Sequence, residues 1–129
     1  VFPMRNPINS SKAPAAIGPY SHGFKCDSLV FTSGQLGLDA ATGKLAGPSV
    51  EEQANAAFKN LIAVLEEGGS SLEKVIKVTV YLKNMGDFAA VNKIYGTYFT
   101  GNYPARTCIE IARLPMDALI EIEAIGYAD

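Results

Sequence analysis

Cysteine is scarce in this chain. Cys26 and Cys108 are its only two, far apart and in no Cys-x-x-Cys pair, which argues against a disulfide scaffold or a thiolate zinc site and fits a reducing, cytoplasmic setting. Histidine is scarcer still: His22 stands alone, so every motif that needs two histidines is excluded, the His-Glu-x-x-His zinc helix among them. A solitary histidine here is read as a loop or surface residue rather than a general base. No apolar run approaches the ~18 to 20 residues that span a bilayer. The first residues lack the basic flank and apolar centre of a secretory signal. The charge is slight, with a formal net of -2, and gives no global attraction to nucleic acid. No Gly-Lys-Ser/Thr follows the glycine-containing loop at Thr42-Gly43, so that loop is no phosphate cradle.

What is present reads as one globular domain over residues 1–129. Hydrophobic residues make up 48% and charged residues 19% of the 129 positions, enough for a real core in a chain small enough to gain from an oligomer interface. Whether Val1, Phe2 and Pro3 ahead of Met4 are a processed end, added residues or ordinary sequence stays open. Four prolines in residues 1–19 confine any strand near Asn6–Asn9 to a short piece followed by loop. Ser21–Cys26 and Ser28–Leu36 are expected to pair as strands around a turn at Lys25–Ser28. Within the second of these, Gly34 permits close approach of backbone to a ligand or another chain, and Ser33 offers a small donor and acceptor.

Ser49-Val50-Glu51-Glu52 has capping-box spacing and starts a helix. Ala54, Ala57, Phe58, Leu61, Ile62 and Leu65 share one stripe of that helix, and Gly68-Gly69 stops it. Val75–Leu82, rich in β-branched residues, is a central strand. Asn84–Asp87 turns the chain into a second amphipathic helix marked by Phe88, Val91, Tyr95 and Tyr98, ending near Gly101. Two strands close the chain, giving the order β-β-α-β-α-β-β, with a possible short strand in front. Two helices suffice to cover one face of one sheet.

The closing strands carry the chemistry. In Tyr103–Pro115, extended backbone sends Thr107, Ile109 and Ile111 to one side and Arg106, Cys108 and Glu110 to the other. In Leu119–Ile125, Ile120, Ile122 and Ala124 oppose Glu121 and Glu123. With the helices on the oily side, Arg106, Glu110, Glu121 and Glu123 are expected together on the open face. A planar guanidinium grips a carboxylate or phosphate through two parallel hydrogen bonds, and a nearby glutamate can handle a water or a proton.

Pro-Ala-Arg-Thr-Cys, then Glu-Ile-Ala-Arg-Leu-Pro and Ile-Glu-Ile-Glu-Ala, resembles the signature region of the RidA (YjgF) family of reactive-intermediate deaminases. Pro-Ala-Ala-Ile-Gly-Pro-Tyr at Pro14–Tyr20 and Thr-Ser-Gly-Gln at Thr32–Gln35 extend the likeness over nearly the whole chain. The resemblance implies an α+β, chorismate-mutase-like fold with a single mixed sheet, assembled as a homotrimer with pockets between neighbouring subunits. It implies hydrolysis of 2-iminopropanoate or 2-iminobutanoate to the 2-oxo acid and ammonia. In that reading Arg106 grips the substrate carboxylate, Cys108 contributes backbone hydrogen bonds, and Glu121 positions or activates water. Tyr20, Ser33 and Gly34 border the ligand, and Asn92 supports it. No metal or organic cofactor is required. The competing implications are RNA cleavage with inhibition of translation, and a noncatalytic metabolite-binding or chaperone-like trimer.

Overall fold

The computed structural model describes residues 4–129; Val1–Pro3 lie outside the described residues. A seven-stranded sheet carries two α-helices. The strands are β1 (Arg5–Ile8), β2 (Gly23–Cys26), β3 (Leu29–Thr32), β4 (Gln35–Leu36), β5 (Val75–Leu82), β6 (Ala105–Glu110) and β7 (Ile120–Tyr127), with helices α1 (Val50–Glu67) and α2 (Phe88–Tyr98). Their order in the sheet is β1-β2-β3-β7-β5-β6, and β4 pairs with β7 beyond the end of β3. β5 and β6 are parallel and the other pairs antiparallel. The sheet is mixed because α2 lies between β5 and β6: a helical crossover returns the chain in the direction it came.

The expected α+β architecture holds, and β5 is the central strand expected, paired on both sides with β7 and β6. One refinement is needed: the single strand expected over Ser28–Leu36 is split into β3 and β4 by a break at Ser33-Gly34.

α1 begins where its sequence directs. The Ser49 hydroxyl accepts the Glu52 amide while the Glu52 side chain accepts the Ser49 amide, so the two groups satisfy donors that the first turn would otherwise leave unpaired. The helix ends at Gly68, and Gly69 follows with φ of +82°, in the left-handed region that glycine enters without penalty. Ala54, Ala57, Phe58, Leu61, Val64 and Leu65 are buried against Val78, Val80, Ile120 and Ile122 from the sheet. α2 joins this layer through Val91 and Tyr95. Phe58 stacks on Tyr98, with centroids 4.3 Å apart, and meets Tyr95 edge-on at 5.8 Å. Both helices therefore cover the same face. Leu29, Phe31, Ile76, Ile109 and Tyr127 stand exposed. No helix among the described residues is long and apolar enough to cross a membrane.

Candidate active site

The expectation that Arg106, Glu110, Glu121 and Glu123 share a face fails at β6. In the register of β5 with β6, Val78 pairs with Arg106, Val80 with Cys108 and Leu82 with Glu110. Those three β5 residues are fully buried beneath the helices. Arg106, Cys108 and Glu110 therefore lie on the helical side, Cys108 half-buried and the other two exposed at the sheet's edge, whereas Thr107 and Ile109 are exposed on the opposite face. Alternation is obeyed but the faces are exchanged, because β6 is an edge strand where the helical layer thins and α2 offers polar and aromatic partners to a cation. On β7 the assignment stands: Ile120, Ile122 and Ala124 are buried, and Glu121 and Glu123 are half-buried on the other face.

Arg106 rests on three residues of α2. Its Nη1 donates to Asn92 Oδ1 at 2.7 Å, and its guanidinium carbon lies over the rings of Tyr95 at 4.8 Å and Phe88 at 5.5 Å. Phe88, Asn92 and Tyr95 are four and then three residues apart, so one stripe of the helix presents them all. The ion pairs among the described residues are Lys74–Asp129 and Lys83–Asp117, which leaves Arg106 without a carboxylate partner. A hollow of about 360 Å³ opens here, lined by Asn92, Tyr95, Gly96, Tyr103, Pro104 and Arg106. Cys108, two residues along the strand, packs against the core. Burial pushes its thiol up against the opposing pull of Arg106, which disfavours a thiolate nucleophile. Glu110 accepts the Met85 amide at 2.7 Å and so caps the turn before α2.

Glu121 occupies a different cavity. About 570 Å³ is enclosed by residues that include Tyr20, His22, Ser33, Gly34, Leu36, Met116 and Glu121. A β-carbon on Gly34 would come within 2.1 Å of Glu121 Oε1, so glycine at this break between β3 and β4 makes room for the carboxylate. The Ser33 hydroxyl donates to the Ser21 carbonyl at 2.6 Å, tying the break to the Pro14–Tyr20 loop that brings Tyr20. Burial first, and the neighbouring Glu123 second, push the Glu121 carboxyl up. Glu123 in turn accepts the Tyr81 hydroxyl, which with burial and the two carboxylates drives that phenol up to about 12.

His22 departs from its reading as a loop or surface residue. It is buried, Nδ1 accepts the Ser10 amide at 3.0 Å, and its own amide donates to Asn9 Oδ1. An acceptor at Nδ1 leaves the ring proton on Nε2, and the ring adds to the lining of the Glu121 cavity.

The chain thus gathers the named residues into two groups: Arg106, Cys108 and Asn92 on the helical side, and Tyr20, Ser33, Gly34 and Glu121 in the larger cavity. Sequence reasoning passed over Phe88 and Tyr95 as ligands of the guanidinium, since an apolar stripe on a helix signals core. It also passed over Met116 at the cavity rim, whose positive φ of 58° nothing in the residue type announces.

A family model described as Endoribonuclease L-PSP matches residues 10–128. The chain belongs to that family, the RidA family of the sequence resemblance. A mouse relative, 2-iminobutanoate/2-iminopropanoate deaminase, is 47% identical over 95% of this chain and 91% of its own length. A RutC family protein of Pyrococcus abyssi is 46% identical over 95% of this chain and 96% of its own. Among solved structures, that of E. coli TdcF with bound serine superposes with a TM-score of 0.92 at 38% identity, covering 96% of this chain and 99% of the other. The family therefore carries deaminase, RutC and endoribonuclease names side by side.

Proposed function

We propose that the chain is a 2-imino acid deaminase, hydrolysing 2-iminopropanoate and 2-iminobutanoate to the 2-oxo acid and ammonia in sites shared between copies of a homotrimer. The observation that carries this reading is the Arg106 guanidinium, held by an amide and two rings, with no carboxylate partner among the described residues. A cation so arranged keeps its attraction for a small anion, and the fork edge left by Asn92 suits a carboxylate. The deaminase name of the mouse relative supports the same assignment.

The chemistry needs orientation more than a strong nucleophile, because the carbon of a protonated imine is already electrophilic. With the carboxylate held by Arg106, water adds to the C=N carbon and gives up a proton to the ionised Glu121 carboxylate. The resulting carbinolamine takes that proton back on nitrogen; as the C–N bond breaks, Glu121 accepts the hydroxyl proton so that the C=O forms, and this proton leaves with the departing ammonia as ammonium. A carboxyl pushed up by burial and by Glu123 binds a proton more strongly than an ordinary one, as a base for water should. Tyr20, Ser33 and Gly34 border the substrate on the Glu121 side, while Cys108 supplies backbone hydrogen bonds and Asn92 supports Arg106 on the other. Arg106 and Glu121 occupy opposite faces of one sheet, so a neighbouring copy would complete the site.

Endoribonuclease action is the second reading, favoured by the description of the family model. Against a long RNA footprint, Arg106 is the one cation lining its hollow, and phosphate tracking calls for several. A dehydratase generating 2-aminoacrylate, with pyruvate release followed with and without this protein, tests the proposal. The expected result is faster release that falls on the order of 100-fold with Arg106→Ala. Equal rates with and without the protein would overturn it.

A further inference from the structure

The residues that hold Arg106 differ from the usual partners of an exposed arginine. A carboxylate partner would fix the side chain but would also compete with any anionic ligand. Phe88 and Tyr95 fix it through their ring faces, at 5.5 and 4.8 Å from the guanidinium carbon, and a ring quadrupole leaves the net positive charge in place. Asn92 takes one N–H of Nη1 and, as a neutral acceptor, also leaves the charge uncompensated. No other protein acceptor among the described residues takes Nη2 or Nε.

We infer that Phe88 and Tyr95 are positioning residues for the anion-gripping arginine: the α2 stripe Phe88-Asn92-Tyr95 cages Arg106 in one rotamer and presents the free edge of its fork to the ligand carboxylate. A free arginine side chain loses rotamer freedom when it binds, and a preset one has already lost it. Tyr95 acts through its ring, since its hydroxyl is buried without a partner among the described residues. Burial pushes that phenol up against the pull of Arg106. Phe88 is the residue to test, because it is exposed to 37% and can be changed with little effect on the core.

The inference rests on the proposed grip of Arg106 on a carboxylate, and the two are separable. Binding of 2-oxobutanoate, a stable analogue of the imine, is measured by titration calorimetry for the parent, Arg106→Ala, Phe88→Leu, Phe88→Tyr and Tyr95→Phe. Side-chain NMR of the Arg106 Nε–H in ligand-free protein supplies a second readout. Expected are loss of binding in Arg106→Ala, weakening by about three- to tenfold in Phe88→Leu, and parental affinity in Phe88→Tyr and Tyr95→Phe. The ring-current shift of the Arg106 Nε–H should shrink in Phe88→Leu alone among the ring variants. In turnover, Phe88→Leu should raise KM with kcat nearly kept. Parental affinity and an unmoved Nε–H in Phe88→Leu, with Arg106→Ala unable to bind, would overturn the cage and spare the carboxylate grip. Undiminished binding by Arg106→Ala would overturn the grip itself and the cage with it.

Discussion

Glu121 is where burial and charge act most directly on function. Its carboxyl is pushed up first by desolvation and then by Glu123, so the folded chain binds that proton more tightly than the unfolded chain does. Such a group's contribution to stability is complete below the ordinary carboxylate range and is lost as pH rises through the raised value. Glutamine, close in shape to the protonated acid, does not titrate. Glu121→Gln should therefore be more stable than the parent at neutral pH, and the gap should close on acidification into the ordinary carboxylate range. Urea denaturation at a series of pH values checks this, and a gap that widens on acidification would contradict it. The residue types here were legible in the sequence: Arg106, Glu121 and the glycine at Gly34 all stand out. Which face Arg106 takes was not, because strand alternation gives two sets of side chains without saying which set turns inward. Thr107 and Ile109 are the more apolar set, yet they are exposed, since the aromatic and amide groups that receive Arg106 sit on α2, 11 to 18 positions earlier in the chain. His22 hides for a similar reason: the Ser10 amide that fixes its ring comes from a distant loop.

At the scale of elements, α1 links the sheet to the loop that builds the Glu121 cavity. Buried Asn60 donates through Nδ2 to the carbonyls of Leu36 and Leu38, at 3.1 and 2.9 Å, and buried Gln53 joins the Gly47 carbonyl to the Leu119 amide at 2.9 and 2.8 Å. These two polar residues interrupt the apolar stripe of the helix and do what backbone pairing does not: they satisfy carbonyls at and just past the C-terminal end of β4, a strand of two residues, and hold the segment entering β7. Asn60→Ala should leave two carbonyls short of a donor and cost about 2 to 4 kcal/mol, lowering Tm by on the order of 10 °C. Hydrogen exchange should rise along residues 34–38 while β5 stays protected. A melt unchanged within a degree or two would show that water replaces both bonds. The helix itself was readable from its capping box and its double glycine, and so was the apolar stripe. The split into β3 and β4 was only half readable: Ser33-Gly34 interrupts the strand formers Leu29–Thr32, but nothing local shows that Gly34 must step aside for a carboxylate on β7.

For the molecule as a whole, one strand pair sets what a single copy can do. β5 and β7 present Val78, Val80, Ile120 and Ile122 to the helices. By alternation, Tyr81, Glu121 and Glu123 must then face the other way. The parallel pairing of β6 with β5 puts Arg106 in register with Val78, on the helical side. No rotation of side chains exchanges the two faces of a sheet, so an intact guanidinium and an intact carboxylate can meet one small substrate only when two copies each contribute one of them. The exposed apolar residues Phe31, Ile76 and Ile109 give such copies a surface to share. In the proposed ring of three, any assembly containing both an Arg106→Ala and a Glu121→Gln protomer has one seam in which both groups are intact. Co-expression of the two variants under different affinity tags, followed by purification through both tags, isolates these mixed rings. They should recover about one third of the parent's imine hydrolysis, although each variant alone is inactive. Mixed rings as inactive as their components would place the two groups in sites that do not cross between copies, and Arg106 would then serve a ligand that Glu121 never meets.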